Sequence, residues 1–176
     1  MNLFKIFFLF LGISILFSTA HSHGPSRQKV SEKIEINASP EKVWSIVKKF
    51  SNFKWNPSVK EVKAQGEKID SVRELNFGDT KIVKQKLEKL DNNKKLIGWR
   101  IIETNNDVMP VNSYSAKIFV KDGEGGKTLV NYKAGFYRGF MGNDPPAELN
   151  DENSKKKVTD FIKESLKGLK KIAESK

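Results

Sequence analysis

Two histidines, His21 and His23, and a complete lack of cysteine limit the chemistry open to this 176-residue chain. Both imidazoles sit in a polar segment near the N-terminus, so the body of the chain has no group for Ser-His-Asp catalysis, HExxH zinc hydrolysis or a thiolate metal site. Disulfides, iron–sulfur clusters and an attached c-type haem are excluded as well, and the composition implies no cofactor. Acid–base chemistry would have to come from carboxylate, Tyr or Lys. Glu32 on the apolar face of the first strand, Arg100 amid the apolar residues of a later strand, and Tyr114 are the groups that could point into a cavity, with Trp99 and Phe136 lining it. Each also has a structural reading: a charged head at a strand end or in one satisfied pair, and aromatic rings as core filling. No carboxylate pair, glycine-rich phosphate loop or nucleophile elbow accompanies them.

The elements that must position these residues follow from periodicity. Lys29 to Ile36 alternates, with Val30, Ile34, Ile36 and Glu32 on one face. Ser39-Pro40 then supplies an N-cap and a proline at the first helical position, predicting a helix from Pro40 to about Lys49 that buries Val43, Trp44 and Val47. An aromatic-rich turn or short helix follows up to Asn56, stopped by Pro57. Strand signals recur at Val59 to Ala64, Val72 to Phe77, Lys81 to Leu90, Leu96 to Thr104, Tyr114 to Lys121 and Leu129 to Tyr137, separated by turn chemistry such as Gly78-Asp79 and Gly123-Glu124-Gly125-Gly126. Short connections imply an antiparallel meander. Val158, Phe161, Ile162, Ser165, Leu166, Leu169 and Ile172 form the apolar stripe of a long C-terminal helix, with acids before it and lysines near its end. These elements predict one α+β domain, a curved antiparallel seven-stranded sheet with the long helix across its concave face.

Upstream, Lys5 precedes the uncharged, largely apolar stretch Ile6 to Phe17 and then Ser18-Thr19-Ala20, the pattern of a secretory signal peptide over residues 1–20. The stretch is shorter than the roughly 20 residues of a spanning helix, so an integral membrane protein is not expected. Cleavage after Ala20 or Ser22 would leave a loose arm over residues 21–28 before the domain at 29–176. The formal net charge is +11, and losing the leader removes Lys5 and no acid. In an exported protein this excess favours acidic proteins or anionic headgroups over nucleic acid, although the bias to Lys, with only four arginines, also fits plain composition. Lys84, Lys86 and Glu88 form the solvated outer side of their strand. Tyr137 and Arg138 with Asp144-Pro145-Pro146 place an aromatic and an arginine in a loop bounded by Gly and Pro, a composition of protein contacts or of a loop that locks the last helix.

The order of elements and the run Ile36-Asn37-Ala38-Ser39-Pro40-Glu41-Lys42-Val43-Trp44 resemble the START-like, Bet v 1-like superfamily that contains the polyketide cyclase/dehydrase proteins. Within it, the chain is similar to the MxaD-like periplasmic accessory proteins of methanol oxidation. That similarity lies in His23-Gly24-Pro25-Ser26-Arg27-Gln28-Lys29-Val30, Met109-Pro110-Val111-Asn112-Ser113-Tyr114-Ser115, Phe136-Tyr137-Arg138-Gly139-Phe140 and Asn143-Asp144-Pro145-Pro146-Ala147-Glu148-Leu149-Asn150-Asp151. The resemblance implies a helix-grip fold. It also implies a non-catalytic periplasmic helper that promotes contact between methanol dehydrogenase and its acidic c-type cytochrome. Carriage of a hydrophobic small molecule in the cavity and a cyclase-like enzyme are the other two readings. On the accessory reading Tyr137, Arg138, Asp144, Lys84 and Lys86 are the candidate contacts.

Overall fold

A computed structural model describes residues 24–175; the leader, its cleavage site, His21 and His23 lie outside the described residues. Alternation in the sequence becomes seven strands: β1 (Gln28–Ile36), β2 (Glu61–Ala64), β3 (Val72–Asn76), β4 (Ile82–Asp91), β5 (Leu96–Glu103), β6 (Val111–Asp122) and β7 (Thr128–Arg138). They form one antiparallel sheet in the order β1-β7-β6-β5-β4-β3-β2. The two helices are α1 (Pro40–Val47) and α2 (Asp151–Glu174). Among the described residues, no helix is long and apolar enough to cross a membrane.

Capping places the helices. The Ser39 hydroxyl accepts from the Lys42 amide with Pro40 at the start of α1, and the Asn150 side chain accepts from the Asn153 amide at the start of α2. Acids Asp151 and Glu152 occupy the first turn of α2 and Lys171 the last, complementing its dipole. Its inward stripe is Val158, Phe161, Ile162, Ser165, Leu166, Leu169 and Ala173. Ile172 departs from the expected stripe and stands 43 % exposed, because the step of four from Leu169 carries the buried line to Ala173 instead.

Of the two forms expected for the segment after α1, the structure holds the turn. The helix ends at Val47, and residues through Asn56 form turns rather than helix, with Phe50, Phe53, Trp55 and Asn56 all buried. The wedge is held by side chains. Glu67 accepts from the Phe50 amide at 2.5 Å and the Ser51 amide at 3.2 Å, and the buried Asn56 amide donates to Ser165 Oγ at 2.6 Å and the Phe161 carbonyl at 3.3 Å on α2. Glycine at 168 permits this docking: a Cβ there would lie 1.7 Å from the Trp55 carbonyl oxygen, which is main chain and cannot swing aside.

Gly168→Ala should therefore push turn and helix apart and remove about 2 kcal/mol of stability or more, lowering the melting temperature by roughly 4–8 °C. Thermal denaturation of the two proteins checks this, and an unchanged midpoint would refute the wedge.

Candidate functional site

The concave face is filled by aromatic rings from five parts of the chain. Trp99 of β5, Tyr132 and Phe136 of β7, Tyr114 of β6, Phe53 of the wedge and Phe161 of α2 are all buried. Phe53 stacks on Phe161 at 5.9 Å, Trp99 meets Tyr132 edge-on at 5.6 Å, and Tyr114 stacks on Phe136 at 6.2 Å. Trp99, Tyr114 and Phe136 thus stand on the concave face, as expected.

The charged group among these rings is Arg73. Alternation along β3 puts it on the same side as Leu75, and it is 2 % exposed. Its guanidinium carbon lies 4.3 Å from the Phe50 ring, 4.4 Å from Phe53 and 4.8 Å from Trp99. Nε donates to Gln85 Oε1 at 2.8 Å and Nη1 to the Phe50 carbonyl at 2.9 Å. Among the described residues no carboxylate lies within 4.0 Å of it, and Glu67, whose charge favours the guanidinium from farther off, is itself exposed. Burial pulls its pKa down to about 9, so it keeps its charge at neutral pH. The Tyr114 and Tyr132 hydroxyls, 3.5 Å apart, are pushed upward by burial and stay protonated. Two buried donors, Arg73 Nη2 and Trp99 Nε1, have no hydrogen-bond partner. What this interior offers chemically is hydrogen-bond donors without an acceptor.

Arg100 does not join them. Successive strand residues face opposite ways, so with Trp99 inward Arg100 stands on the convex face, where it pairs with Glu88 at 3.3 Å. Glu32 keeps to the concave side of β1 but at its margin, 4.0 Å from Lys163 of α2 and partly in water. Arg138 is turned inward: Nη1 bonds Asp151 at 2.9 Å, Nε the Phe140 carbonyl at 2.8 Å and Nη2 the Gly142 carbonyl at 2.6 Å. It ties the Pro-Pro loop to α2 and is not a surface contact, while Asp144 is exposed in the loop. A groove of about 590 Å³ on the flank of α2, lined by Trp55, Pro57 and Ile172, lies apart from all of these.

The convex face divides in two. Across β3 to β5 three cations are neutralised among the described residues: Lys84 by Glu103 at 2.9 Å and Glu74 at 3.6 Å, Lys86 by Asp70 at 2.7 Å, and Arg100 by Glu88, while Lys89, next to Lys117, is not. Lys84 and Lys86 therefore hold their expected face without making it basic. Across β1, β7 and β6, by contrast, Lys29, Lys33, Lys117 and Lys133 have no carboxylate within 4.0 Å among the described residues, and neither does Arg27 beside them. Lys117 and Lys133 are direct cross-strand partners, an arrangement that opposes pairing. Tyr137, half-buried, lies under the Arg27 guanidinium at 5.6 Å. Arg27, Lys117 and Lys133 escaped the sequence reading, although a hairpin read outward from Gly125 sets the two lysines opposite one another.

Arg73→Lys tests the interior. An ammonium cannot make both directed bonds while stacking on three rings, which leaves Gln85 or Phe50 without a donor, and the loss should be about 1–3 kcal/mol. A urea midpoint lowered at unchanged slope is the expected result.

Comparison with known proteins agrees with this architecture. Residues 27–174 match the family model described as polyketide cyclase / dehydrase and lipid transport. The solved structure of XoxI from Bacillus cereus is 24 % identical, with a TM-score of 0.68 over 82 % of this chain and 94 % of that one. The Zhui aromatase/cyclase from a Streptomyces species is 16 % identical, with a TM-score of 0.66 over 85 % and 94 %. Norcoclaurine synthase from Thalictrum flavum is 15 % identical, with a TM-score of 0.64 over 87 % and 98 %. These likenesses concern the fold. No curated protein matches the chain. With the family model spanning the whole sheet and both helices, the chain belongs to the polyketide cyclase / dehydrase and lipid transport family.

Proposed function

We propose that this chain is a periplasmic, non-catalytic accessory protein that binds an acidic redox partner and promotes contact between methanol dehydrogenase and its acidic c-type cytochrome. The observation that carries the reading is the unneutralised half of the convex face: four lysines on a rigid sheet with Arg27 beside them, next to a half in which Lys84, Lys86 and Arg100 are each paired with an acid. The partners are named by the MxaD-like resemblance and the compartment by the leader. A further support is the chemistry of the interior. Its titratable groups are one charged arginine and two protonated tyrosines, and such a set lacks a base at neutral pH.

A face of one sign acts mainly on encounter. It raises association rates by about 10-fold or more at low salt and loses that effect as the Debye length shrinks from about 10 Å at 0.1 M to 3 Å at 1 M. Carriage of an apolar molecule is the second reading, favoured by Arg73 Nη2 and Trp99 Nε1, two buried donors facing no acceptor.

Mixing a methanol dehydrogenase, its cytochrome and the exported protein should speed cytochrome reduction at low ionic strength, with the gain vanishing as salt rises. No change at any salt would overturn the accessory reading. An apolar acid or ketone released on denaturing the exported protein, and absent from an Arg73→Met variant, would put the carrier in its place.

A further inference from the structure

A depression of about 240 Å³ sits in the unneutralised half of the convex face, lined by Arg27, Lys29, Ser115, Lys117, Lys133 and Gly135 with two alanines. Four of these residues are cations and none is an acid. The arginine is held in place before anything binds. Its Nη2 donates to Ser115 Oγ at 3.2 Å, its plane lies over the Tyr137 ring, and it rests on the bare backbone of Gly135, where a Cβ would come within 3.0 Å of Nη2. On the other side, the Lys133 ammonium is held 5.6 Å over the Phe119 ring, and Lys117 faces it across the strand pair. Like charges set directly opposite work against the sheet unless an anion lies between them.

We propose that this depression is an oxyanion receptor that takes one carboxylate side chain from the acidic partner, with Arg27 as its anchor and Lys29, Lys117 and Lys133 closing around it. The identity of the occupant rests on the accessory reading; the existence of the receptor does not. A guanidinium bound to a carboxylate by two parallel N–H donors is stronger and more directional than an ammonium, so Arg27 fixes the docking pose while the surrounding lysines govern the rate of approach.

The test uses the whole exported protein, an Asp/Glu-rich peptide and sodium phosphate as probes, and amide chemical shifts of Ser115, Lys117 and Gly135 as the readout. Both probes should shift these amides and compete with one another. Arg27→Lys should weaken the peptide by about 10-fold or more, because an ammonium cannot present two parallel donors, with the net charge unchanged, so the loss cannot be one of general attraction. Lys117→Glu should abolish binding yet raise the denaturation midpoint, because it relieves the cross-strand repulsion; a misfolded variant would move the other way. Neutralising Lys84 and Lys86 together should leave binding intact. Equal affinity in Arg27→Lys, or equal weakening in the Lys84/Lys86 variant, would overturn the receptor. If the peptide binds as described but cytochrome reduction is unaffected, the accessory reading fails and the receptor stands. If cytochrome reduction is accelerated equally by wild type, Arg27→Lys and Lys117→Glu, the receptor fails and the accessory reading stands.

Discussion

A guanidinium buried without a carboxylate sets the terms for the rest of this interior. Moving a full charge out of water costs several kcal/mol even after relaxation, and Arg73 recovers it from three ring faces and two neutral oxygens. Those partners come from three parts of the chain. Phe50 and Phe53 belong to the wedge, Gln85 to β4 and Trp99 to β5, so one side chain of β3 ties the turn after α1 to the middle of the sheet. The wedge in turn reaches α2 through Asn56 and the contact at Gly168. Sheet, turn and helix are thereby held in one packing, and changing any one of them would leave a buried polar group unsatisfied.

The convex face obeys different physics. There the charges keep their water, so each ion pair contributes little to stability and the pattern of pairing matters more than its strength. Acids are placed beside Lys84, Lys86 and Arg100 and withheld from Lys29, Lys33, Lys117 and Lys133. Because the sheet carries both faces, the aromatic box holds rigid the backbone from which the basic side chains project.

Much of this was legible in the sequence, because strand alternation and helix capping are local. The seven strands, the Ser39-Pro40 start and the buried line through Val158 and Leu169 follow from spacing alone. Arg73 and Arg100 show where a cruder cue misleads. Arg100 has apolar neighbours in sequence, yet it shares a face with Lys86; Arg73 sits between Val72 and Glu74, yet shares a face with Leu75. Parity, rather than the company of adjacent residues, decides which arginine is inside. The wedge was readable as either a turn or a short helix, and the choice is made by Glu67, Asn56 and a helix more than a hundred residues away in sequence. Arg138 belongs to the same class. Its loop composition suits a contact surface, and only the approach of Asp151 and two carbonyls turns it inward.

The opposed lysines on β6 and β7 also bear on which molecules can share this face. Two copies of the chain meeting back to back would bring Arg27, Lys29, Lys33, Lys117 and Lys133 against the same set. Isologous contact through an identical patch would then set mainly cation against cation, Glu35 at the far end of β1 being taken up by Lys127, with no acid in the depression to offset them. The face thus rejects its own kind, and crowding many copies together leaves it open for a molecule of the other sign.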